Sequence, residues 1–213
     1  MTGDANTRIW GTGVVHAHGG DREYPVSERD IQADTHWAWG MFERMGFAAD
    51  DTAVFVAGRT ETAQMQPYRL AAERMGVTVL DAENEMHGGA RLYAWITEYP
   101  VRIVFGLGEA VLDGLEAGGH PPQQVLENVP ILVARTGAHA RLRNAGFKPW
   151  QMLCLGPAFA FTAPGGGRAM IDEDEWVVVR DSTGEACISS AGQRRHAFVR
   201  FPTSLPYAQL GRF

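Results

Sequence analysis

"SERDIQADTHWAWGMFERMGFAADDTAVFVAG", residues 27–58, predicts a capped amphipathic helix followed by a buried strand. Ser27 and Asp30 are typical of a helix start, because side-chain oxygens at this spacing accept backbone N–H groups of the first turn. Gly46 is typical of a helix end. The β-branched and apolar run after the acidic pair predicts a strand of a parallel sheet. The residues expected on one face of the helix are Ile31, Thr35, Trp39 and Phe42.

The same alternation of helix and strand continues along the chain as far as residue 156. Helical segments separate further apolar runs, and the connections are only a few residues long. Strict alternation of this kind predicts an α/β fold, with a parallel or mostly parallel sheet covered by helices on both faces. The runs that predict strands are VTVLDAE (77–83), VRIVFGL (101–107), PILVAR (130–135) and QMLCLG (151–156).

A glycine-rich break, APGGGRAM (163–170), separates this core from a different pattern. Three strand-like runs follow, divided by turn-forming segments, and they predict antiparallel hairpins. We therefore divide the chain into an α/β core, residues 1–162, and a small β-rich annex, residues 163–213, packed on it as one compact unit. The three runs are EWVVVRD (175–181), EACISSA (185–191) and HAFVRFPT (196–203).

Composition and charge exclude several classes of function. The net charge of −6 over 213 residues, with no basic stripe, argues against nucleic acid as a partner. No apolar run approaches the roughly 20 residues that span a bilayer, and the first residues lack the pattern of a signal peptide. The two cysteines, Cys154 and Cys187, are expected as free thiols. We therefore expect a cytoplasmic protein with no membrane partner.

The order of these elements and several of their segments resemble the adenylate-forming superfamily, specifically its phenylacetate–CoA ligase branch. The resemblance begins at residues 27–58, continues through residues 67–83 and 101–119, and ends with the hairpins of residues 172–203. It covers most of the chain and rests on collinearity, not on one motif. It implies the fold of the large N-terminal ligase domain. It also implies a truncated member that lacks the mobile C-terminal domain and that domain's adenylate-contacting lysine.

The resemblance assigns the ATP phosphates to "VVHAHGGD", residues 14–21, where these ligases have a loop of the form Ser-Ser-Gly-Thr-Thr-Gly-x-Pro. Backbone amides, hydroxyls and often a lysine offset the phosphate charge in such a loop. Here the hydroxyls and the lysine are gone, and Asp21 adds a negative charge. An alignment shifted to residues 11–13 keeps one hydroxyl. Neither alignment predicts a triphosphate site.

Two other ATP anchors implied by the resemblance are also changed. The glutamate that holds magnesium in these ligases falls on Phe159 in "LGPAF", residues 155–159, and a phenyl ring cannot ligate a hard cation. The aspartate that grips the ribose falls on Ser204 or Leu205. We therefore expect a pseudoenzyme that does not adenylate and that has no bound cofactor, with a CoA- or AMP-type ligand as an open alternative.

His16 and His18 permit two interpretations. Residues two apart on a strand point the same way, so these histidines could share a metal ion, with His87 or Asp21 as a third ligand. The interpretation we favour is that both are loop histidines bonded to backbone or water, so no metal is expected and these two remain weak candidates.

The candidate ligand pocket collects residues from the predicted phosphate loop, strand ends and glycine-rich break. Phe159 has two interpretations, since it could line a pocket or belong to the core together with Trp150, Met152 and Phe161. Cys154 is expected to be buried and inert. The basic run of residues 194–196 could receive a carboxylate or a CoA phosphate, or could keep a sheet edge soluble. The candidate residues are His16, His18, Gly19, Gly20, Arg135, Gly156, Phe159, Gly165, Gly166 and Arg200.

Three functions remain open from the sequence. The first is a reduced acyl-CoA-ligase-like protein that binds a carboxylate, an acyl or CoA-type ligand, or a partner protein. The second is an active CoA ligase or acyl-transfer enzyme with a nonstandard site. The third is a metal-dependent enzyme that uses His16 and His18. A homodimer is expected, because the resemblance is to a family that commonly dimerises.

Overall fold

The computed structural model describes residues 8–17 and 20–211. These residues form strands, α-helices and one short 3-10 helix, Tyr207–Leu210. The strands are β1 (Ile9–Ala17), β2 (Gly20–Ser27), β3 (Thr52–Ala57), β4 (Thr78–Glu83), β5 (Val101–Leu107), β6 (Ile131–Arg135), β7 (Trp150–Cys154), β8 (Phe159–Thr162), β9 (Trp176–Arg180), β10 (Glu185–Ser190) and β11 (Phe201–Pro206). The α-helices are α1 (Glu28–Met45), α2 (Thr62–Arg74), α3 (Gly88–Glu98), α4 (Glu109–Ala117), α5 (Pro122–Leu126) and α6 (Thr136–Asn144).

The main sheet has six strands in the order β4-β3-β5-β6-β7-β8. Its first five strands are parallel, and β8 pairs antiparallel with β7. The α/β fold with a mostly parallel sheet is therefore confirmed. The antiparallel strand β8 was not expected, because its four residues are too short to give a periodic pattern.

Helices cover both faces of this sheet, because side chains alternate along each strand. Phe55 and Phe105 pack against α1 and α2, where Phe42 and Tyr68 are buried. The neighbouring Val54 and Val104 face the opposite side, where α3, α4, α5 and α6 contribute their leucines and valines. Because both faces of the sheet are buried, the sequences of β3 and β5 are mostly apolar and do not alternate with polar residues.

Helix α1 begins and ends where the sequence predicts. The Ser27 hydroxyl accepts the Asp30 N–H, and the Asp30 carboxylate accepts the Ser27 N–H, which completes a capping box. Gly46 ends the helix with φ of 87°, a left-handed conformation that favours glycine. Of the predicted face, Ile31, Thr35 and Phe42 are buried, whereas Trp39 is only partly buried and donates to Glu43.

Residues 14–17 and 20–21 of the predicted phosphate loop belong to two paired strands. Strands β1 and β2 pair antiparallel as a separate two-stranded sheet, and His16 lies directly opposite Asp21. The ring of Tyr24 packs over Gly13, and a Cβ at residue 13 would collide with that ring. Two of the candidate residues, His18 and Gly19, lie outside the described residues.

The second small sheet has three antiparallel strands in the order β11-β10-β9, which confirms the predicted β-rich annex. The third strand lies later in the chain than the pattern of residues 196–203 predicts, since β11 begins at Phe201. His196 and Phe198 instead pack their rings against Tyr24 of the β1–β2 hairpin. The division at residue 162 stays a prediction.

Arg194 joins the annex to helix α1. Its guanidinium makes two bonds of 2.7 and 2.8 Å to the Asp34 carboxylate and one of 3.3 Å to Glu175. It also stacks on the ring of Trp176, 4.3 Å from the centroid. The Arg194 side chain is only 6% exposed, so it is not available to a ligand, whereas Arg195 and His196 are exposed and the two interpretations stay open for them. Among the described residues, no helix combines the length and apolar character that crossing a bilayer requires.

Candidate functional site

A cleft of about 220 Å³ opens beside the carboxyl ends of β3 and β7. Its walls come from β1, from the loop and first turn that join β3 to α2, from the β7–β8 turn, and from β11. Open α/β sheets bind their ligands at the carboxyl ends of strands, so this cleft lies where such a site is expected. The lining residues are Val14, Val15, His16, Thr60, Glu61, Gln64, Cys154, Gly156, Phe159, Thr203 and Ser204.

A two-point ion pair fixes one side of the cleft. The Arg135 guanidinium donates to both carboxylate oxygens of Glu61, at 2.6 and 2.7 Å. Its Nε donates to the Gly106 carbonyl, and Glu61 also accepts the Gly58 N–H. The two paired side chains are 14% and 22% exposed. Because each charge is satisfied within the protein, Arg135 is not a free cation for a ligand phosphate.

Cys154 lies between this ion pair and the cleft. Its Sγ accepts a bond of 3.2 Å from Arg135 Nη1. Burial raises the pKa of the Cys154 thiol, and the nearby Arg135 charge only partly offsets that rise. The thiol is therefore neutral at physiological pH, which makes it a poor nucleophile.

His16 links two elements at the rim of the cleft. Its Nδ1 lies 2.5 Å from Asp21 Oδ1, and its Nε2 lies 3.2 Å from Thr60 Oγ1. The His16 and Asp21 side chains are 66% and 60% exposed. An imidazole held in this way has one nitrogen facing a carboxylate and the other facing a hydroxyl.

Gln64, on the first turn of α2, attaches that helix to the hairpin. Its Nε2 donates to the Val14 carbonyl at 2.7 Å. The other polar atom of the same amide, Oε1, is buried, and within the described part of the chain it has no hydrogen-bond partner. Gln64 also borders a second, enclosed cavity of about 20 Å³ with Asp34 and Tyr68, which has room for about one water molecule.

Comparison with known proteins gives structural matches only. No protein-family model and no curated protein matches the chain by sequence. An open conformation of 2-hydroxyisobutyryl-CoA ligase, in complex with 2-HIB-AMP and CoA, matches with a TM-score of 0.70 and 13% identity over 93% of the chain. Wild-type E. coli MenE with a bound analogue of OSB-AMS matches with a TM-score of 0.58 and 11% identity over 92%. The chain spans 52% of the first of these proteins and 43% of the second.

The chain has the fold of the adenylate-forming ligases. At these identities the likeness establishes the fold alone. Within it, the three stretches that the sequence resemblance assigns to ATP meet at one cleft. The predicted phosphate stretch contributes His16, the predicted magnesium stretch contributes Gly156 and Phe159, and the predicted ribose position contributes Ser204.

The structure brings together some of the candidate residues and separates others. His16, Gly156 and Phe159 line the cleft, and Arg135 contacts two of its lining residues. Phe159 is 3% exposed and packs on Tyr68, so it belongs to the core and lines the cleft. Gly20 lies in the hairpin, at the start of β2.

Three candidates lie outside this cleft, and their role in binding a ligand stays a prediction. Gly165 and Gly166 form an exposed turn between β8 and Met170, with φ of 99° and 90°. Arg200, with φ of 46°, lines a different surface cavity beside Tyr24.

The metal interpretation gains no support from the arrangement of possible ligands. His87 begins α3 and pairs with Glu83 and Glu85, and the cleft lining does not include it. Within the described ranges, the carboxylate that pairs with His16 is that of Asp21. Among residues 8–17 and 20–211, no group of three or more histidine, cysteine, aspartate or glutamate side chains is placed to hold a metal ion.

Sequence reasoning missed the residues of the β3–α2 connection. Thr60 and Glu61 follow Gly58 directly after a buried strand, and polar residues at the carboxyl end of a parallel strand are the signal that could have indicated them. Gln64 carried no comparable signal, because its role depends on a bond to the distant Val14 carbonyl.

Proposed function

We propose that this chain binds a small carboxylate or acyl ligand in the cleft beside β3 and β7, and that it does not form acyl-adenylates. The observation that carries the proposal is that the three stretches corresponding to ATP anchors meet at one cleft whose polar groups are not suited to ATP. The solved ligases of this fold are described with acyl-AMP ligands or analogues, which favours an acyl compound as the ligand class here.

The size and lining of the cleft favour an acyl group over a nucleotide. Drug-sized ligands occupy pockets of about 300–1,000 Å³, and this cleft measures about 220 Å³. Val14, Val15 and Phe159 provide an apolar wall for a short aliphatic or aromatic chain. Thr60 and Ser204 supply hydroxyl groups that can donate to a carboxylate or carbonyl oxygen.

The charges around the cleft disfavour a triphosphate. Glu61 and Asp21 are acidic, and the nearest buried cation, Arg135, is bonded to Glu61. Because Arg135 is taken up by Glu61, it does not offset a phosphate charge, and a triphosphate placed there would also meet the exposed carboxylate of Asp21. A CoA-type ligand would need its phosphates to lie outside the cleft. Self-association stays a prediction.

A thermal-shift series tests the proposal. We expect butyrate, benzoate or an acyl-CoA to raise the melting temperature, and MgATP and AMP to leave it unchanged. Val14→Trp should fill the cleft and abolish the shift, whereas Val177→Trp, at an exposed position of β9, should retain it.

Carboxylate-dependent exchange of pyrophosphate into ATP is the second measurement. We expect no exchange above background with either acid. Exchange above background would contradict the loss of adenylation, and the absence of any thermal shift with all of these compounds would contradict the ligand site.

A further inference from the structure

Thr60, His16 and Asp21 form a continuous chain of contacts at the rim of the cleft. The carboxylate meets Nδ1 of the imidazole, and the threonine hydroxyl meets Nε2, at 2.5 and 3.2 Å. His16 and Asp21 face each other across the β1–β2 ladder, so the backbone register itself places both side chains on one face. Thr60 comes from the β3–α2 connection, 44 residues further along the chain.

We call these three side chains, Thr60, His16 and Asp21, the relay. We infer that the relay hydrolyses activated acyl compounds, namely esters or thioesters, with Thr60 as the nucleophile and His16 as the general base. Carboxylate, imidazole and hydroxyl in this order are the arrangement that activates a hydroxyl for attack on a carbonyl. Asp21 is a positioning residue, because a carboxylate at Nδ1 keeps the proton there and leaves the Nε2 lone pair facing the hydroxyl.

A structural role accounts poorly for the same contacts. The His16 and Asp21 side chains are both more than half exposed, and an ion pair in that setting contributes at most about 1 kcal/mol to stability. Exposure at the rim of a cleft is, however, what a group that meets a substrate requires. His16 lies within hydrogen-bond reach of both Asp21 and Thr60, as a general base must lie of the hydroxyl that it deprotonates.

The reaction balances with water as the only co-substrate. Thr60 Oγ attacks the acyl carbon while its proton passes to His16 Nε2, and collapse of the tetrahedral intermediate breaks the bond to the leaving oxygen or sulfur. The imidazolium returns that proton to the leaving group, which departs as an alcohol or a thiol. Water then attacks the acyl–Thr60 ester with His16 as base, which releases the carboxylic acid and restores the threonine.

Helix α2 supplies the electrostatic partner for the intermediate. The helix begins at Thr62, two residues after Thr60, and it is 13 residues long. The amide N–H groups of a first helical turn point toward the N-terminus and carry the positive end of the helix dipole. An oxyanion forming at Thr60 would lie beside these groups.

The apolar wall of Val14, Val15 and Phe159 would hold the acyl chain of such a substrate. This part of the inference rests on the proposed function, since the same cleft must accept the acyl group. Because the cleft measures only about 220 Å³, it favours acyl chains of a few carbons. The leaving group would extend past His16 into solvent, so both oxygen and sulfur leaving groups fit the same chemistry.

Turnover of para-nitrophenyl butyrate and of the S-butyryl thioester of N-acetylcysteamine tests the inference. We expect both to be hydrolysed, with the acyl group found on Thr60 by peptide mass spectrometry after a rapid acid quench. Thr60→Val and His16→Ala should each lower kcat by at least about 100-fold. Thr60→Ser should retain turnover and acylation, while the control variants Thr97→Val and His36→Ala should match the original protein.

Asp21→Asn tests the positioning role separately from the fold. We expect a lower kcat with KM unchanged, together with loss of the far-downfield proton resonance of the His16 ring. A kcat of Asp21→Asn equal to that of the original protein would contradict the role of Asp21.

Failure of the relay and failure of the ligand site give different results. No turnover of either probe, turnover that persists in Thr60→Val, or acylation on Cys154 would overturn the inference. If butyrate still raises the melting temperature in that case, the proposed ligand site stands without catalysis. If the butyrate shift is absent as well, both fail.

Discussion

Cys154 illustrates how a single ion pair controls the reactivity of a neighbouring group. Burial raises the pKa of its thiol, Arg135 lowers that pKa, and the Glu61 carboxylate raises it. We expect Cys154 in the native protein to react with iodoacetamide more slowly than free cysteine at neutral pH, because the thiolate is the reactive form.

Glu61→Gln should accelerate this reaction, since it removes a charge that disfavours the thiolate while Arg135 remains. Peptide mass spectrometry distinguishes Cys154 from Cys187, and protein unfolded in urea provides the fully reactive reference. A slower reaction in Glu61→Gln would contradict this account of the site electrostatics.

Asp181 controls the turn between β9 and β10. Its Oδ1 accepts bonds from the Thr183 hydroxyl and from the N–H groups of Thr183 and Glu185, and these hold its pKa below the ordinary value of 3.8. A carboxylate with a lowered folded-state pKa contributes stability that is complete above the unfolded pKa and is lost as pH falls through the folded pKa.

Asp181→Ala should therefore lower the melting temperature most at neutral pH, and the difference from the original protein should shrink as pH falls below 3.8. Thermal unfolding followed across this pH range measures it. The control, Ser182→Ala, removes no titrating group and should give a difference that does not depend on pH.

At the scale of one element, helix α1 depends on its capping box. Ser27 is fully buried and exchanges hydrogen bonds with Asp30. Ser27→Ala should lower the free energy of unfolding by about 1–2 kcal/mol, because one backbone N–H of the first turn loses its acceptor. Urea denaturation measures the change, and the exposed control Gln32→Ala should stay within about 0.5 kcal/mol. An effect of Ser27→Ala no larger than that control's would contradict the role of the cap.

Elements with strong local signals were predictable, and elements defined by distant contacts were not. The α1 cap residues and Gly46 lie next to the helix that they bound, and the apolar runs of β3 and β5 reflect burial on both faces. The hairpin strand β1 carries two glycines and His16, which weaken its pattern, and its position depends on a bond from Gln64 and on packing of Tyr24.

The candidate site was only partly predictable for the same reason. His16, Gly156 and Phe159 were found through collinearity with a known family, and the cleft brings them together. Thr60 and Glu61 act through His16 and Arg135, which lie 44 and 74 residues away in the chain. Pairings at such separations depend on the topology of the sheet, and no short sequence window contains both partners.

At the scale of the whole molecule, Arg194 connects the annex with α1. Arg194→Met would leave the carboxylates of Asp34 and Glu175 without this partner in a mostly buried setting. Glu175 keeps its ion pair with Arg29, so Asp34 is the carboxylate that loses its charge partner. We expect a loss of about 3–5 kcal/mol in the free energy of unfolding, because removing one partner of a buried ion pair leaves the other charge uncompensated. Urea denaturation monitored by tryptophan fluorescence and by far-ultraviolet circular dichroism checks both the size of the loss and whether the two probes change together.

Two further variants make this test specific. Asp34→Asn combined with Arg194→Met should recover part of the loss, since it removes one unpaired charge. Arg141 pairs with Asp113 and Glu116 at the surface, so Arg141→Met should cost no more than about 1 kcal/mol. Equal effects of the Arg194 and Arg141 substitutions would contradict the proposed link between annex and core.

In the proposed function, the cleft beside β3 and β7 accepts an acyl carboxylate and not ATP. Titration of isotopically labelled protein, followed by amide chemical shifts in two-dimensional NMR, measures that preference at the cleft itself. With butyrate or benzoate we predict saturable shifts confined to residues around the cleft, with Thr60, Cys154 and Gly156 among them. With MgATP we predict none at these residues. Saturable shifts of the same residues with MgATP, or no shifts there with either acid, would contradict the claim.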